Sequence, residues 1–238
     1  MQLHLSFSGP LAVPMAYQQL IHGLLYHAMD SAPDYRRFLH EQGYSQDGRH
    51  IKGFTFGRLQ GRYVRDGGTL IFPEGCSLEL RSCDPLMIQC LLAGLPQGSH
   101  QRLAECETTV AAVRLDDRHV ISDAVEIGML SPVTVYQTLA DKKTDYAAPD
   151  EERFYELLRQ NARSKWALIS DQPFPEDFSV TPLSVTQKDK VVTSFKGTRI
   201  TAWMGSYYLT GPQTLLDLLY QIGLGAKSSQ GFGMFQVL

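Results

Sequence analysis

The chain has 238 residues and a formal net charge of −3, with 43% hydrophobic and 20% charged residues. This composition suits one large globular domain or two domains of about 120 residues. The charge excludes a protein that is basic throughout, so any nucleic-acid site must be a local patch. Since the sequence shows neither a signal-peptide pattern nor an apolar run near the ~18 residues of a membrane span, it predicts a cytoplasmic protein without membrane contact.

Cysteine and histidine usage gives no sign of a metal centre. The four cysteines, at positions 76, 83, 90 and 106, contain no C-x-x-C pair, and the seven histidines form no H-E-x-x-H motif. We expect reduced thiols in the core, no bound metal and no other cofactor.

Strand and helix patterns alternate along the first half of the chain. Strand patterns occur at 2–8, 51–59, 69–73, 76–82 and 108–115. Helical patterns occur at 17–28, at 34–42 and after the N-cap residue Asp84. The order is therefore strand, helix, strand pair, helix and strand.

The second half repeats this order. Strand patterns occur at 124–130, 132–137, 178–185, 190–195, 198–209 and 231–238. Helical patterns occur at 151–168 and 211–223. Two successive β-α-β-β-α-β units predict an α+β protein with two tandem ferredoxin-like domains, residues 1–120 and 121–238.

A glycine-rich loop precedes the closing strand, with the sequence GLGAKSSQGFG over residues 223–233. It is neither a dinucleotide fingerprint nor a P-loop, because its third glycine position is Ser228 and because a helix precedes the loop and a strand follows it. Two G-x-G units around a polar spacer favour a clamp for a phosphate backbone, with Lys227 and serine hydroxyls as donors. A glycine-rich turn without a ligand is the alternative.

Three further stretches accompany this loop. Gly23–Tyr26 reads G-L-L-Y, an L-H pair lies at Leu39–His40, and Lys52 opens the stretch K-G-F-T-F. With the C-terminal loop and the tandem ferredoxin-like units, these motifs resemble the sixth CRISPR-associated protein family, endoribonucleases that cut precursor CRISPR RNA within its repeats. The resemblance covers the whole chain in element order and is sharpest at Val13–Phe56 and Gly223–Val237.

The resemblance implies that Tyr26, His40 and Lys52 are catalytic residues. In metal-independent cleavage the ribose 2′-OH attacks the adjacent phosphorus and leaves a 2′,3′-cyclic phosphate and a 5′-OH. This reaction needs a proton acceptor, a proton donor and a cation, which a histidine, a tyrosine and a lysine can supply at neutral pH.

The residues by themselves leave alternatives open. At ~100° per residue, Tyr26 lies roughly opposite the apolar stripe of its helix, so we expect it to point away from the core. His22 shares a flank of that helix with Tyr26 and is the strongest rival of His40. His27 and His50 are further candidates.

The predicted RNA-binding residues combine the loop with basic positions elsewhere. They are Gly223, Gly225, Lys227, Ser228, Ser229, Gly231, Gly233, Arg58, Lys196 and Arg199. The expected partner is CRISPR repeat RNA, the resemblance admits other subunits of a CRISPR effector complex, and the oligomeric state stays open. The alternative functions are a non-catalytic RNA-binding subunit of such a complex and a small-molecule enzyme whose glycine loop binds a nucleotide.

Overall fold

The computed structural model describes residues 1–46 and 49–238. In the first half, the helices are α1 (Gln18–His27), α2 (Pro33–Arg37) and α3 (Pro85–Gly94), and a π-helical turn (Phe38–Gln42) extends α2. The strands are β1 (Gln2–Phe7), β2 (Leu11–Pro14), β3 (Tyr44–Gln46), β4 (Arg49–Ile51), β5 (Phe54–Phe56), β6 (Val64–Asp66), β7 (Thr69–Phe72), β8 (Cys76–Ser82), β9 (His100–Leu103) and β10 (Cys106–Asp116).

In the second half, the helices are α4 (Glu152–Trp166) and α5 (Gln213–Ile222), with 3₁₀ turns at Gln187–Asp189 and Ser228–Gln230. The strands are β11 (Ala124–Met129), β12 (Tyr136–Thr138), β13 (Thr144–Tyr146), β14 (Ser179–Ser184), β15 (Lys190–Phe195), β16 (Thr198–Trp203), β17 (Ser206–Thr210) and β18 (Phe235–Val237). No helix in the described parts of the chain is long and apolar enough to cross a bilayer.

The two halves build antiparallel sheets with the same strand order. The first sheet runs β5-β8-β1-β10, with β9 added beside β10, and the second runs β14-β17-β11-β18. In each β-α-β-β-α-β unit the first and third strands are therefore central, and the second and fourth flank them. This is the ferredoxin-like arrangement, and the predicted α+β fold of two tandem ferredoxin-like domains is confirmed.

The hydrophobic core is divided in the same way. One buried cluster contains residues from Leu3 to Val110, including the alternating Leu3, Leu5 and Phe7 of β1, and another contains residues from Val120 to Phe235. Alternation buries one face of a strand against its helices. The domain boundary that we propose after residue 120 lies at the start of the second cluster, which Val120 already joins.

The prediction of one continuous strand at 198–209 is wrong. β16 ends at Trp203 and pairs with β15 in a separate hairpin, whereas β17 begins at Ser206 and joins the central sheet. The break lies at Gly205, whose φ is +107° and whose added Cβ would lie 2.7 Å from the Ser184 carbonyl oxygen. The buried positions change phase across this break, from Ile200 and Ala202 to Tyr207 and Leu209, which the interpretation as one strand overlooked.

Two other predicted strands also differ from the structure. β7, at the predicted strand 69–73, lies in a small sheet with β2 and β6 instead of the central sheet. Of the strand predicted at 132–137, only residues from Tyr136 onward form β12. Apolar residues at these positions pack between loops and sheets, which period-two alternation does not distinguish from a central strand.

The segment after α5 packs against the first domain. The Thr55 hydroxyl donates to the Phe232 carbonyl at 3.1 Å, and Arg81 Nη1 donates to the Phe235 carbonyl at 2.7 Å. Arg81 is only 2% exposed and also forms an ion pair with Glu79 at 2.7 Å. These contacts tie the two domains together and place the glycine-rich loop beside α1 and β5.

Candidate active site

The four glycines of the loop are required by packing within the protein. Gly223, Gly225, Gly231 and Gly233 all have φ between +78° and +86°, where side chains with a Cβ are strained. An added Cβ would lie 2.5 Å from Phe56 at Gly231 and 1.9 Å from the Leu224 carbonyl oxygen at Gly233. All four glycines are buried, so packing within the protein accounts for their conformation, and their role in RNA binding stays a prediction.

The part of the loop that faces outward is the spacer between the two glycine pairs. Lys227 adopts the left-handed conformation with φ +59°, and its side chain lines the same cavity as Ser229 and Gln230. Burial lowers the pKa of Lys227. The Ser228 hydroxyl instead lies within hydrogen-bonding distance of a buried lysine.

That lysine is Lys165 of α4, which the sequence interpretation missed. Its Nζ donates to the carbonyl oxygens of Gly223 and Gly225 at 2.6 and 2.7 Å and to Ser228 Oγ at 3.0 Å. The side chain is 3% exposed, and burial lowers its pKa to about 7, while the three oxygen acceptors favour its charged form. One signal existed in the sequence, because Lys165 continues the buried stripe of α4 that contains Phe154 and Leu158.

The three predicted catalytic side chains line one cavity of about 370 Å³ between α1, the π-helical turn and the loop. The ring centroids of Tyr26 and His40 are 5.2 Å apart, and the rings are perpendicular. Lys52 Nζ donates to the His40 carbonyl oxygen at 2.9 Å. Tyr26, His40 and Lys52 therefore meet at one place, together with Lys227 from the other domain.

Tyr26 does not point away from the core, contrary to the helical-wheel expectation. It is 8% exposed and belongs to the buried cluster of the first domain. The π-helical turn covers it, and its hydroxyl donates to the Leu39 carbonyl at 3.3 Å. Burial raises the pKa of Tyr26 to about 12, so the phenol keeps its proton at neutral pH and acts as a hydrogen-bond donor.

The other candidate histidines occupy different environments. The His22 ring lies 4.6 Å from that of Tyr26 in the same cavity, and burial, with the nearby Lys196 cation, lowers the pKa of His22 to about 4. His27 is exposed and pairs with Asp30 at 2.6 Å. The His50 Nδ1 lies 2.8 Å from the Gln42 carbonyl oxygen, and its side chain lines the next cavity along the groove.

The predicted basic residues separate into two groups. Lys196 lines the cavity with Tyr26. Arg199 is exposed and lies on β16 between Thr198 and Ile200, which line the cavity, so it projects from the opposite face of the strand. Arg58 lines a separate groove beside the start of α1. The structure therefore brings Lys196, but neither Arg58 nor Arg199, to the candidate active site.

Three adjoining cavities form one groove along the junction of the two domains. Lys227 lines all three, and Lys52 and Ser229 line two of them. Among the residues described, none that lines these cavities is Asp or Glu, although the chain contains 25 acidic residues. The lining of the groove is therefore locally basic, although the net charge of the chain is negative.

The sequence of the chain matches a known protein family. The family model described as "CRISPR associated protein Cas6, C-terminal" matches residues 115–237, slightly more than half of the chain. The chain belongs to the Cas6 family. Among the described residues of this Cas6 protein, no group of three or more His, Cys, Asp or Glu side chains is placed to hold a metal ion.

Two curated relatives agree with this Cas6 membership, and a solved structure has the same fold. The chain is 25% identical to the CRISPR-associated endoribonuclease Cas6 of Pyrococcus furiosus, over 94% of this chain and 83% of that protein. It is 24% identical to the CRISPR-associated endoribonuclease Cas6 1 of Methanocaldococcus jannaschii, over 98% of this chain and 90% of that protein. A Cas6-related structure from Pyrococcus furiosus superposes with a TM-score of 0.84 at 18% identity, covering 100% of this chain and 98% of that one.

Proposed function

We propose that the protein is a metal-independent endoribonuclease that cleaves precursor CRISPR RNA within its repeats. Family membership and the names of the curated relatives support this proposal. The observation that carries it is the meeting of Tyr26, His40 and Lys52 in one cavity of a groove whose described lining contains no carboxylate. Because such transcripts are made inside the cell, the enzyme would act in the cytoplasm.

The proposed reaction is an in-line attack of the ribose 2′-OH on the adjacent phosphorus. The bond between phosphorus and O2′ forms and the bond to O5′ breaks, leaving a 2′,3′-cyclic phosphate and a 5′-OH. One proton leaves the 2′-OH and one proton reaches the departing O5′. The exposed ring of His40 exchanges one of these protons, since an imidazole can do so near neutral pH.

Tyr26 and Lys52 would act on the charge that develops during this attack. The Tyr26 phenol stays protonated, so its one O–H can move from the Leu39 carbonyl to a phosphate oxygen, or the ring can hold the His40 ring in its perpendicular orientation. The Lys52 ammonium is fixed by the His40 carbonyl oxygen and stabilises the added negative charge. A preorganised partner of this kind contributes about 3–4 kcal/mol to a transition state.

The test is cleavage of the repeat RNA of the protein's own CRISPR locus in excess EDTA. We expect one cut within the repeat and product ends of the stated chemistry, and no cut when the cleaved nucleotide carries 2′-deoxyribose. His40→Ala should slow single-turnover cleavage by at least ~10²-fold with RNA affinity almost unchanged, while His27→Ala, outside the cavity, should cut normally. Tight binding without cleavage by the wild-type protein would favour a non-catalytic RNA-binding subunit.

A further inference from the structure

The end of the groove beyond the glycine-rich loop contains the largest of its cavities, about 510 Å³. We call it the distal cavity; its wall includes Tyr136 and Gln137 of β12, Asn161 of α4 and Lys227. A cavity of about 230 Å³, lined by Lys52 and Lys227 among others, connects it with the candidate active site. An RNA strand with a phosphate at Lys227 would therefore place nucleotides on both sides of that lysine.

Asn161, at the wall of this cavity, carries a side-chain acceptor without a partner. Its Oδ1 is buried and accepts no hydrogen bond within the described structure, and Asn161 lines both the distal and the connecting cavity. A buried acceptor without a donor destabilises a protein, and a bound donor removes that cost. Because Asn161 lies at the edge of the buried stripe of α4, next to Ala162, the helix fixes its position.

Tyr136 supplies the aromatic part of the wall. Lys227 Nζ lies 4.8 Å from the centroid of the Tyr136 ring, and the Tyr146 ring lies 5.5 Å away at 56° on the facing strand. An aromatic surface beside a cation is the combination that holds a base and its phosphate in single-stranded RNA. The distal cavity thus offers a surface for a base, a cation for a phosphate and a hydrogen-bond acceptor.

We propose that the distal cavity binds one unpaired nucleobase of the repeat near the cleaved linkage, and that the Asn161 amide rotates so that its Oδ1 accepts a hydrogen bond from the exocyclic amino group of that base. This inference rests on the proposed function, because it places repeat RNA in the groove. Tyr136 packs against the base, and Lys227 binds the phosphate between the two cavities. Adenine, cytosine and guanine carry an exocyclic amino group and uracil does not, so Asn161 would discriminate against uracil.

The test removes single amino groups from the RNA. The probe is the repeat RNA with 2′-deoxyribose at the cleaved nucleotide, in which each unpaired base near that site is replaced by its amino-free analogue (purine for adenine, inosine for guanine, pyrimidin-2-one for cytosine). We expect one position where the replacement weakens wild-type binding about tenfold. Asn161→Leu should bind both RNAs of that pair equally, whereas Glu156→Gln, on the exposed side of α4, should retain the wild-type difference.

The outcomes separate this inference from the proposed function. If no replacement changes wild-type affinity, or if Asn161→Leu keeps the same sensitivity, the subsite proposal is wrong. Cleavage of the all-ribose repeat by the wild-type protein is measured in parallel. If the repeat is cut, the proposed function stands without the subsite; if the repeat is not cut, the proposed function is wrong as well. Asn161→Ala, which adds no bulk, provides the same comparison if the leucine variant does not fold.

Discussion

Replacing Lys165 by methionine tests how the glycine-rich loop is held. The ammonium of Lys165 is the hydrogen-bond donor for the carbonyl oxygens of Gly223 and Gly225 and for Ser228 Oγ. Methionine is similar in length and fills the same volume, but it donates no hydrogen bond. The substitution therefore removes the hydrogen bonds that Lys165 donates to the loop, and it leaves the packing of α4 in place.

The expected loss of stability follows from these contacts. Each buried carbonyl left without a donor costs about 1–3 kcal/mol. The Gly225 carbonyl keeps a long contact of 3.5 Å from Ser228 Oγ, so the two glycine carbonyls together lose at most about 2–6 kcal/mol. The variant no longer buries an ammonium, which recovers part of that amount. We expect the free energy of unfolding of Lys165→Met to fall by about 2 kcal/mol, and RNA affinity to fall as well because Lys227 and Ser229 lose their fixed positions.

Urea unfolding followed by circular dichroism measures the loss of stability. RNA titration without urea, at a temperature where the variant is folded, measures the loss of RNA affinity. Lys142→Met, in the exposed turn between β12 and β13, is the control with the same change of charge, and its stability should stay within about 0.5 kcal/mol of wild type. If Lys165→Met is as stable as the wild-type protein and binds RNA equally well, the loop does not depend on this lysine.

Three further predictions concern the loop and the cavity. Lys227→Ala should weaken RNA binding more than it slows the cleavage of bound RNA, and it should reduce the slope of log affinity against log salt by about 0.7. Gly231→Ala should destabilise the protein by about 3 kcal/mol, because its Cβ would lie 2.5 Å from Phe56 at φ +86°. The pKa of His22 is lowered to about 4 from an ordinary 6.5, so between pH 4 and pH 6.5 the unfolded chain binds more protons than the folded protein. The free energy of unfolding should therefore rise with pH across this range, by up to about 3 kcal/mol. His22→Gln should flatten that rise in unfolding experiments at a series of pH values.

Matched measurements decide each of these predictions. Salt-insensitive binding by the wild-type protein would contradict a phosphate contact at Lys227. Gly98→Ala is the control for Gly231→Ala, because Gly98 has the same φ of +86° and nothing lies within 4 Å of the added Cβ, and equal stabilities of the two variants would show that Phe56 yields to the methyl group. An unchanged pH dependence in His22→Gln would mean that another group is responsible for it.

The sequence predicted the residues of the cavity better than their surroundings. Tyr26, His40 and Lys52 share a cavity with Lys227, as the motifs implied. The helical wheel failed for Tyr26 because it describes one helix, whereas the side chain is buried by a π-helical turn twelve residues further along. The catalytic roles of these residues remain predictions until the variants are assayed.

The glycines show the opposite relation between pattern and cause. Their spacing marked the loop that lines the groove, and close packing of Gly231 against Phe56 and of Gly233 against the Leu224 carbonyl accounts for two of them without RNA. Closely spaced glycines indicate that another group lies close to the backbone, but they do not identify that group. Lys165 was overlooked because a lysine on an apolar stripe is ordinarily assigned to the surface, and its partners lie about sixty residues away.

The order of these segments in the chain bears on when the protein becomes active during its synthesis. A nascent chain with about 200 residues outside the ribosome already carries Tyr26, His40 and Lys52, but Phe56 has no cover and Arg81 lacks the Phe235 carbonyl. The first domain can fold at that stage, since domains generally fold as they are synthesised. The groove between the domains is completed only after Lys227, Ser229 and Gln230 have left the exit tunnel, because these residues line it, so the first domain by itself does not form the groove.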